Sequence, residues 1–218
     1  MSGKIITVAQ QKGGAGKTTL AAQLAAALQK SGVSVATIDI DPQGSLTLWY
    51  TARMHSMGEK NDIIHAQVQG WRLKKETDRL AAECYYVIID VPPHAESETA
   101  TAMRLADLVL VPLQLSPMDF WASRPTLKTA RDEKTESLIV LNRVAPRTKL
   151  NAQISEKLDA LETPVASQTL GNRVAYAASM LDGYGVVETE PSGVASKEMQ
   201  ALVKELKTYF SKKSQKAA

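Results

Sequence analysis

The clearest chemical signal in this sequence is one continuous run, Lys12-Gly13-Gly14-Ala15-Gly16-Lys17-Thr18-Thr19. Its glycines have no Cβ atom, so the backbone can turn tightly and bring its N–H groups close to an anion. The Lys17 ammonium could contact the β- and γ-phosphates of a nucleotide, and the Thr18 hydroxyl could ligate Mg²⁺. The run matches the pattern G-x-x-x-x-G-K-S/T with one departure, because Gln11 stands at its first position and a further lysine, Lys12, follows.

The segments on either side of this loop are those that a phosphate site needs. The apolar residues 5–9 predict a buried strand before the loop, and the Ala- and Leu-rich residues 20–29 predict a helix after it. The positive end of the helix dipole then adds to the backbone N–H groups of the loop. This arrangement favours nucleotide binding over the alternative, a solvated lysine before an ordinary turn.

Two further segments place carboxylates at the ends of predicted strands. Asp39 and Asp41 are two positions apart and share one face of an extended chain, before Pro42 ends the strand. The apolar run of residues 85–89 ends at Asp90, as expected for a central parallel strand with a metal-orienting carboxylate at its tip. Without the neighbouring glycine-rich loop, Asp41-Pro42 would indicate no more than a turn.

Strand-like and helix-like runs alternate along the 218 residues. We predict strands over residues 5–9, 35–39, 86–90, 107–112 and 138–142, a further candidate at 165–169, and a short strand around Ile63 and Ile64. This alternation predicts an α/β fold with a doubly wound, mostly parallel sheet and helices on both faces. No Pro/Gly/Ser-rich linker divides the chain, so we expect a single domain over residues 1–218.

The glycine-rich run resembles the deviant Walker A loop of the ParA/MinD family of ATPases, which are P-loop proteins. Residues 39–43 resemble the DxDPQ motif of that family, and the resemblance is strongest through Asp90. It implies that ATP and Mg²⁺ are bound by Gly13, Gly14, Ala15, Gly16, Lys17, Thr18 and Thr19. It also implies that Lys12 reaches the nucleotide of a second subunit and that Asp41 positions the attacking water.

The same resemblance implies the remaining roles at the site. Lys12, Lys17 and Asp41 would be the catalytic group, whereas Thr18, Asp39 and Asp90 would form the metal shell. Asn142, at the end of a predicted strand, corresponds to an asparagine that contacts the adenine ring in relatives. The chain departs from the family at Val91, where a threonine is usual.

The resemblance further implies a cycle in which ATP-bound chains form a homodimer and the dimer binds DNA without sequence preference. A ParB-like or cargo-adaptor protein would stimulate the slow hydrolysis that opens the dimer. The net charge of +3 is only mildly basic, and a dimer would double any basic patch. The candidate DNA contacts are Arg147, Lys149, Arg173, Lys204 and Lys207, although each alone is more often a solvated surface charge.

Two segments allow more than one interpretation. Met118, Phe120 and Trp121 either contribute to the dimer interface, as the resemblance implies, or pack as an ordinary amphipathic helix. Apolar residues at positions 199, 202, 203, 206 and 210 form a helical stripe beside lysines, which could lie on a membrane. No bulky apolar residue follows Phe210, so we expect the stripe to pack on the sheet and expect no membrane partner.

The single cysteine, Cys84, excludes a disulfide within the chain and argues against the cluster chemistry of the related nitrogenase iron protein. No signal peptide or apolar run of membrane-spanning length is evident, so we expect a cytoplasmic protein. The resemblance implies that it associates with the nucleoid. The predicted function is the positioning or segregation of an intracellular cargo, either a plasmid or a protein cluster. Two alternatives stay open: a MinD-like, membrane-cycling regulator of division or polar assembly, and a metabolic ATP-dependent enzyme of the same superfamily.

Overall fold

The computed structural model describes residues 3–93, 96–145, 153–154 and 156–217. Within these residues six strands form one parallel sheet: β1 (Lys4–Val8), β2 (Val35–Asp39), β3 (Ile63–Gln67), β4 (Tyr86–Asp90), β5 (Leu108–Leu113) and β6 (Ser137–Leu141). The strand order is β3-β2-β4-β1-β5-β6: the chain runs from β1 to β2 and β3 on one side, returns to place β4 between β2 and β1, and then adds β5 and β6 on the other side. The predicted doubly wound α/β fold is confirmed.

Eight α-helices surround this sheet in the described part of the chain. They are α1 (Lys17–Lys30), α2 (Ser45–Met57), α3 (Leu73–Glu83), α4 (Glu96–Leu105), α5 (Pro117–Asp132), α6 (Val174–Met180), α7 (Val186–Thr189) and α8 (Val194–Ala217). Short 3-10 turns lie at Gly58–Lys60, Gly70–Arg72 and Leu158–Leu161.

The two faces of the sheet carry separate hydrophobic cores. Along β4, Tyr86 and Ile88 face the core formed with α1 and α8, whereas Val87 and Ile89 face the core formed with α3 and α5. This alternation follows from the two-residue period of a strand, and the continuous apolar sequence follows from burial of both faces. Because the strands pair in parallel, the carboxyl ends of the central strands lie together at one edge, where the predicted nucleotide-site residues lie.

The apolar stripe of α8 is part of the core rather than an exposed surface. Met199, Leu202, Val203, Leu206 and Phe210 are all buried in the cluster that includes α1. The prediction that this stripe packs on the sheet is therefore confirmed. In the described residues no helix is both long and apolar enough to cross a membrane.

The predicted strand at residues 165–169 is wrong. Val165 forms only an isolated parallel bridge with Ile139 beside the edge strand β6. The N–H groups of Ser167 and Gln168 instead donate to the carboxylate of Glu205 on α8, at 2.8 and 3.2 Å. Because a side chain takes these donors, the segment cannot continue a strand ladder.

Candidate functional site

The glycine-rich loop joins the end of β1 to the start of α1, and its glycines are required by geometry. Gly14 and Gly16 have φ angles of 76° and 93°, in the left-handed region that favours glycine. A Cβ atom on Gly16 would lie 2.4 Å from Nδ2 of Asn142. No side chain caps α1, so the first N–H groups of this helix are available to an anion.

Three side chains from neighbouring elements hold this loop by its carbonyl groups. Nδ2 of Asn142 donates to the Ala15 carbonyl at 3.0 Å, and Nη1 of Arg143 donates to the Gly14 carbonyl at 3.1 Å. Nε2 of Gln114 donates to the same Gly14 carbonyl at 3.3 Å. Because these bonds restrain the loop before any ligand binds, its N–H groups are preorganised. The sequence analysis identified Asn142 for adenine contact, and it missed Arg143 and Gln114.

Lys17 is the first residue of α1, and it lies beside two of the predicted carboxylates. It is buried, and burial lowers the pKa of its ammonium, while the charges of Asp90 and Asp41 oppose that change. A buried ammonium that faces carboxylates and free backbone donors has the position required to contact a phosphate chain.

Thr18 and Asp90 form the contact that best fits a divalent cation. The Thr18 hydroxyl donates to Oδ2 of Asp90 at 2.6 Å, and the other oxygen, Oδ1, is buried with no partner in the described structure. Burial, opposed by the Thr18 hydrogen bond, raises the pKa of Asp90 to about 7. An orphaned carboxylate oxygen beside a hydroxyl suits Mg²⁺, which prefers oxygen ligands.

Asp39 lies directly beside Asp90 in the sheet register and is fully buried. Its Oδ1 accepts from the N–H of Asp41 at 3.0 Å, and its Oδ2 accepts from both the N–H and the hydroxyl of Thr47 at 2.9 Å. Asp39 therefore fixes the segment between β2 and α2, a structural role that the sequence analysis did not predict. Its place in a metal shell stays a prediction.

Asp41 follows β2 at the same edge of the sheet and is 9% exposed. Its Oδ1 accepts from the N–H of Gln43 at 2.9 Å, which fixes the carboxylate in a local turn. Its Oδ2 accepts no hydrogen bond from any other part of the chain that the structure describes. This oxygen is consequently available to orient a water molecule.

Lys12 is held by its own chain in this structure. Its Nζ lies 2.7 Å from Oδ2 of Asp119, and the two side chains are 37% and 2% exposed. The Ser116 hydroxyl contacts the same carboxylate and accepts from the Asp119 N–H at 3.1 Å, so it caps α5. The sequence analysis missed Asp119, although the spacing Ser116-x-x-Asp119 is a helix-start signal that could have identified it.

The first turn of α5 presents apolar side chains next to this ion pair. Met118 and Trp121 are 62% and 59% exposed, whereas Phe120 is buried in the core with α3. The alternative of core packing therefore holds for Phe120, and Met118 and Trp121 stay candidates for an interface.

The candidate DNA contacts that the structure describes lie in two separate places. Lys204 and Lys207 line a groove of about 790 Å³ between α1 and α8, together with Lys30 and Lys212. Arg173 instead lines a cavity of about 340 Å³ that also includes Thr19, Asn142 and Arg143, close to the start of α1.

The charge of Arg173 is already paired. Its guanidinium donates to the Glu198 carboxylate at 2.6 and 3.0 Å, and this contact raises its pKa. Arg147 and Lys149 lie outside the described residues.

The fold and this loop define a P-loop nucleotide-binding protein. Residues 6–186 match the model of the CobQ/CobB/MinD/ParA nucleotide-binding domain. The chain belongs to this family, as the sequence resemblance had indicated.

Similar proteins include the maintenance of carboxysome distribution protein A of Halothiobacillus neapolitanus, at 27% identity over 92% of this chain and 95% of the relative. Among solved structures, the cell division ATPase MinD of Pyrococcus furiosus superposes with a TM-score of 0.80 at 20% identity, covering 95% of this chain and 99% of MinD. An ATP complex of a McdA variant from Cyanothece gives a TM-score of 0.75 at 19% identity, covering 94% and 96%. At these identities the structural matches establish the fold alone.

Proposed function

We propose that this chain is an ATPase that dimerises on binding ATP and positions or segregates an intracellular cargo. The observation that carries this proposal is the convergence of Lys17, Thr18, Asp90 and Asp41 around one preorganised glycine-rich loop. The carboxysome-distribution relative and the ATP complex of similar fold support the choice of nucleotide and of cargo positioning.

Each side chain at this edge of the sheet would have a separate role in ATP hydrolysis. Lys17 and the N–H groups of residues 13–19 would bind the phosphates, and Thr18 and Asp90 would hold Mg²⁺, which neutralises phosphate charge. Asp41 would accept a hydrogen bond from the attacking water through its free oxygen and orient it. Because phosphoryl transfer needs positioning and charge stabilisation above all, this set of groups suffices.

Lys12 would leave Asp119 and contact the nucleotide bound by a second copy of the chain. The exposed Met118 and Trp121 support this role, because they flank Asp119 and offer apolar surface for a partner. Dimer formation would then depend on the presence of the γ-phosphate, and hydrolysis would weaken it.

The dimer would bind DNA without sequence preference. An adaptor protein would stimulate ATP hydrolysis. The protein would act in the cytoplasm, at the nucleoid. The groove lined by Lys30, Lys204, Lys207 and Lys212 supports DNA binding, because none of these lysines forms a salt bridge within the described residues. Two copies of the groove in one dimer would double its charge. The membrane-cycling alternative loses its main support, because the apolar stripe of α8 is buried.

Light scattering with and without ATP and Mg²⁺ tests this proposal. The wild type should change from monomer to dimer only with ATP, and Lys12→Ala should bind ATP yet stay monomeric. Lys60→Ala removes an exposed lysine in the Gly58–Lys60 turn and should behave as the wild type. If Lys12→Ala formed the ATP-dependent dimer as the wild type does, Lys12 would not act on the nucleotide of a second subunit.

A further inference from the structure

His65 lies in the middle of β3, and its imidazole ring bridges this strand to β2 and α2. Its Nδ1 lies 2.8 Å from the hydroxyl of Thr37, which is its register partner on β2. Its Nε2 lies 3.0 Å from the hydroxyl of Thr47 in the first turn of α2. The ring also stacks on Tyr50, with 4.7 Å between the two ring centroids. Both ring nitrogens therefore have a defined partner, although this histidine is not among the groups that would bind nucleotide or metal.

The two hydroxyl groups determine which ring nitrogen carries the proton. The Thr47 hydroxyl donates its one hydrogen to Oδ2 of Asp39 at 2.9 Å, so it can only accept from His65. Nε2 is therefore the protonated nitrogen, and Nδ1 accepts from the Thr37 hydroxyl. In the opposite tautomer, lone pairs of Nε2 and of the Thr47 oxygen would face each other at 3.0 Å. Burial, opposed by the charge of Asp39, lowers the pKa of His65 to about 4, so the ring is neutral at pH 7.

The hydrogen bonds that start at this ring lead to the catalytic edge of the sheet. His65 donates to Thr47, and Thr47 donates to Asp39. The other carboxylate oxygen of Asp39 accepts from the N–H of Asp41 at 3.0 Å. Asp39 therefore has a donor on each oxygen, and it holds the backbone of the residue whose free oxygen is available to orient water. Because each donor is itself held by a neighbour, the orientation of Asp41 is set before a substrate binds.

We propose that His65 is a positioning residue for ATP hydrolysis, which acts through Thr47 on the placement of Asp41. The inference rests on the proposed function, because it requires Asp41 to orient the attacking water. Without the Nε2–H donor, the Thr47 hydroxyl could rotate away from Asp39, and the segment that carries Asp41 would be held less firmly. ATP binding depends on the glycine-rich loop and would not change. His65 therefore affects the rate of the reaction and not the affinity for the nucleotide.

Steady-state ATP hydrolysis by the full chain with Mg²⁺ measures this effect. His65→Phe keeps an aromatic ring against Tyr50 and removes both ring nitrogens. It should lower kcat about two- to tenfold, as expected for the loss of one hydrogen bond, and leave KM for ATP unchanged. His65→Gln should recover part of this loss, because its amide N–H can replace the Nε2–H donor. His55→Phe is the matched control, since His55 is exposed in the last turn of α2, and it should hydrolyse ATP as the wild type does.

A double variant tests whether His65 acts through Thr47. Thr47→Val removes the hydroxyl and keeps the backbone N–H that also donates to Asp39. Its kcat should fall at least as far as that of His65→Phe, because the bond to the carboxylate itself is lost. Adding His65→Phe to Thr47→Val should then lower kcat no further, as expected for residues that act in one chain of contacts. Additive losses would mean that His65 acts by another route, and they would overturn the inference.

Long-range ¹H–¹⁵N correlation spectra of the wild type, without nucleotide, test the tautomer directly. At pH 7 His65 should show a protonated Nε2 and an unprotonated Nδ1, and the signals that His65→Gln removes identify it among the three histidines.

The inference and the proposed function fail in different ways. A proton on Nδ1, or an unchanged kcat in His65→Phe, would overturn the inference alone. A loss of kcat that glutamine does not recover, together with a higher KM for ATP, would assign His65 a purely structural role and would also overturn it. A wild type that does not hydrolyse ATP would instead overturn the proposed function, and this inference with it.

Discussion

The Lys12 ammonium and the Asp119 carboxylate form an ion pair within one chain, with 2.7 Å between Nζ and Oδ2. The lysine end of this pair is partly exposed, whereas Asp119 is almost completely buried at the start of α5. If Lys12 acts on the nucleotide of a second subunit, this contact has to break first. On the proposed function, the ion pair would therefore oppose dimerisation in the absence of ATP.

Asp119→Asn should strengthen ATP-dependent dimerisation, because Lys12 would no longer have to leave a carboxylate. An ion pair with one exposed partner contributes about 0.2–1 kcal/mol, and two such pairs break per dimer, so the dimer dissociation constant should fall by about two- to thirtyfold. Analytical ultracentrifugation with ATP and Mg²⁺ measures this, with Lys12→Ala/Asp119→Asn as the control that should show no gain. A weaker dimer in Asp119→Asn would mean that Asp119 stabilises the closed form.

Asp41→Ala should bind ATP and form a dimer that does not dissociate. The attacking water would lose its orienting carboxylate, so the hydrolysis that opens the dimer would not occur. Loss of a group in this role typically lowers the rate by roughly 10²–10⁴-fold. Phosphate release and the lifetime of the ATP dimer are the measurements, and Asp182→Ala, an exposed aspartate after α6, is the control. Rapid phosphate release from Asp41→Ala would exclude Asp41 from the reaction.

The fold and the phosphate loop could be predicted because their signals are local in the sequence. The run of residues 12–19 specifies its own geometry through Gly14 and Gly16, and the apolar run before Asp90 needs no distant partner to indicate a strand. Helix periodicity likewise predicted the buried face of α8. In each case neighbouring residues determine the structure.

The features that the sequence did not reveal depend on contacts between distant residues. Lys12 and Asp119 are 107 positions apart, and no periodicity links them. The segment around Ser167 has a strand-like pattern, but Glu205, 38 positions away, takes its backbone donor. The hydrogen bonds of His65 join β3 to β2 and α2, so they appear only once these elements pack together.

Asp90 should make the nucleotide-free protein less stable as the pH rises. Burial raises its pKa in the folded state to about 7 from 3.8, so between these values the folded protein holds a proton that the unfolded chain has lost. The stabilisation from this difference is therefore complete below about pH 4 and is lost as the pH approaches 7. Across this range the free energy of unfolding should fall by a few kcal/mol.

Urea unfolding at pH 5 and pH 8, without nucleotide or metal, measures this effect. The free energy of unfolding of the wild type, relative to that of Asp90→Asn, should be lower at pH 8 than at pH 5. Comparison with the variant cancels other titrating groups, such as His65, whose pKa burial lowers to about 4. Parallel pH profiles of the two proteins would show that Asp90 is ionised throughout.

Arg53 should be essential for the stability of α2, which follows the Asp41 segment. Its guanidinium is fully buried and donates to both oxygens of Glu188, at 2.8 and 2.7 Å. Glu188→Gln would leave a buried charge uncompensated, so we expect the free energy of unfolding to fall by about 3–5 kcal/mol. Glu83→Gln, at an exposed pair with Arg79, should change it little, and equal urea midpoints of the two variants would contradict the prediction.

DNA binding should depend on the lysines of the groove between α1 and α8. Lys204→Glu/Lys207→Glu should lose retention of random-sequence duplex by the ATP dimer, because both side chains line the groove and neither forms a salt bridge in the described structure. The salt dependence of nonspecific DNA affinity measures the counterions released on binding. Each phosphate contact removed should therefore reduce the slope of log K, the DNA-binding constant, against log salt by about one. Gel shifts across a salt series measure this.

The control reverses the charge of one lysine elsewhere, which is half the charge change of the double variant. Lys74 pairs with Asp78 on α3, whereas the adjacent Lys75 is exposed and forms no salt bridge in the described structure, so Lys75→Glu should bind DNA close to normally. Arg173→Glu is a less direct test, because it would place a second carboxylate against Glu198 and disturb α8. Arg173→Gln avoids that repulsion. If this variant lost DNA binding strongly while Lys204→Glu/Lys207→Glu bound normally, the DNA surface would be the side of the molecule that carries Arg173 and not the groove.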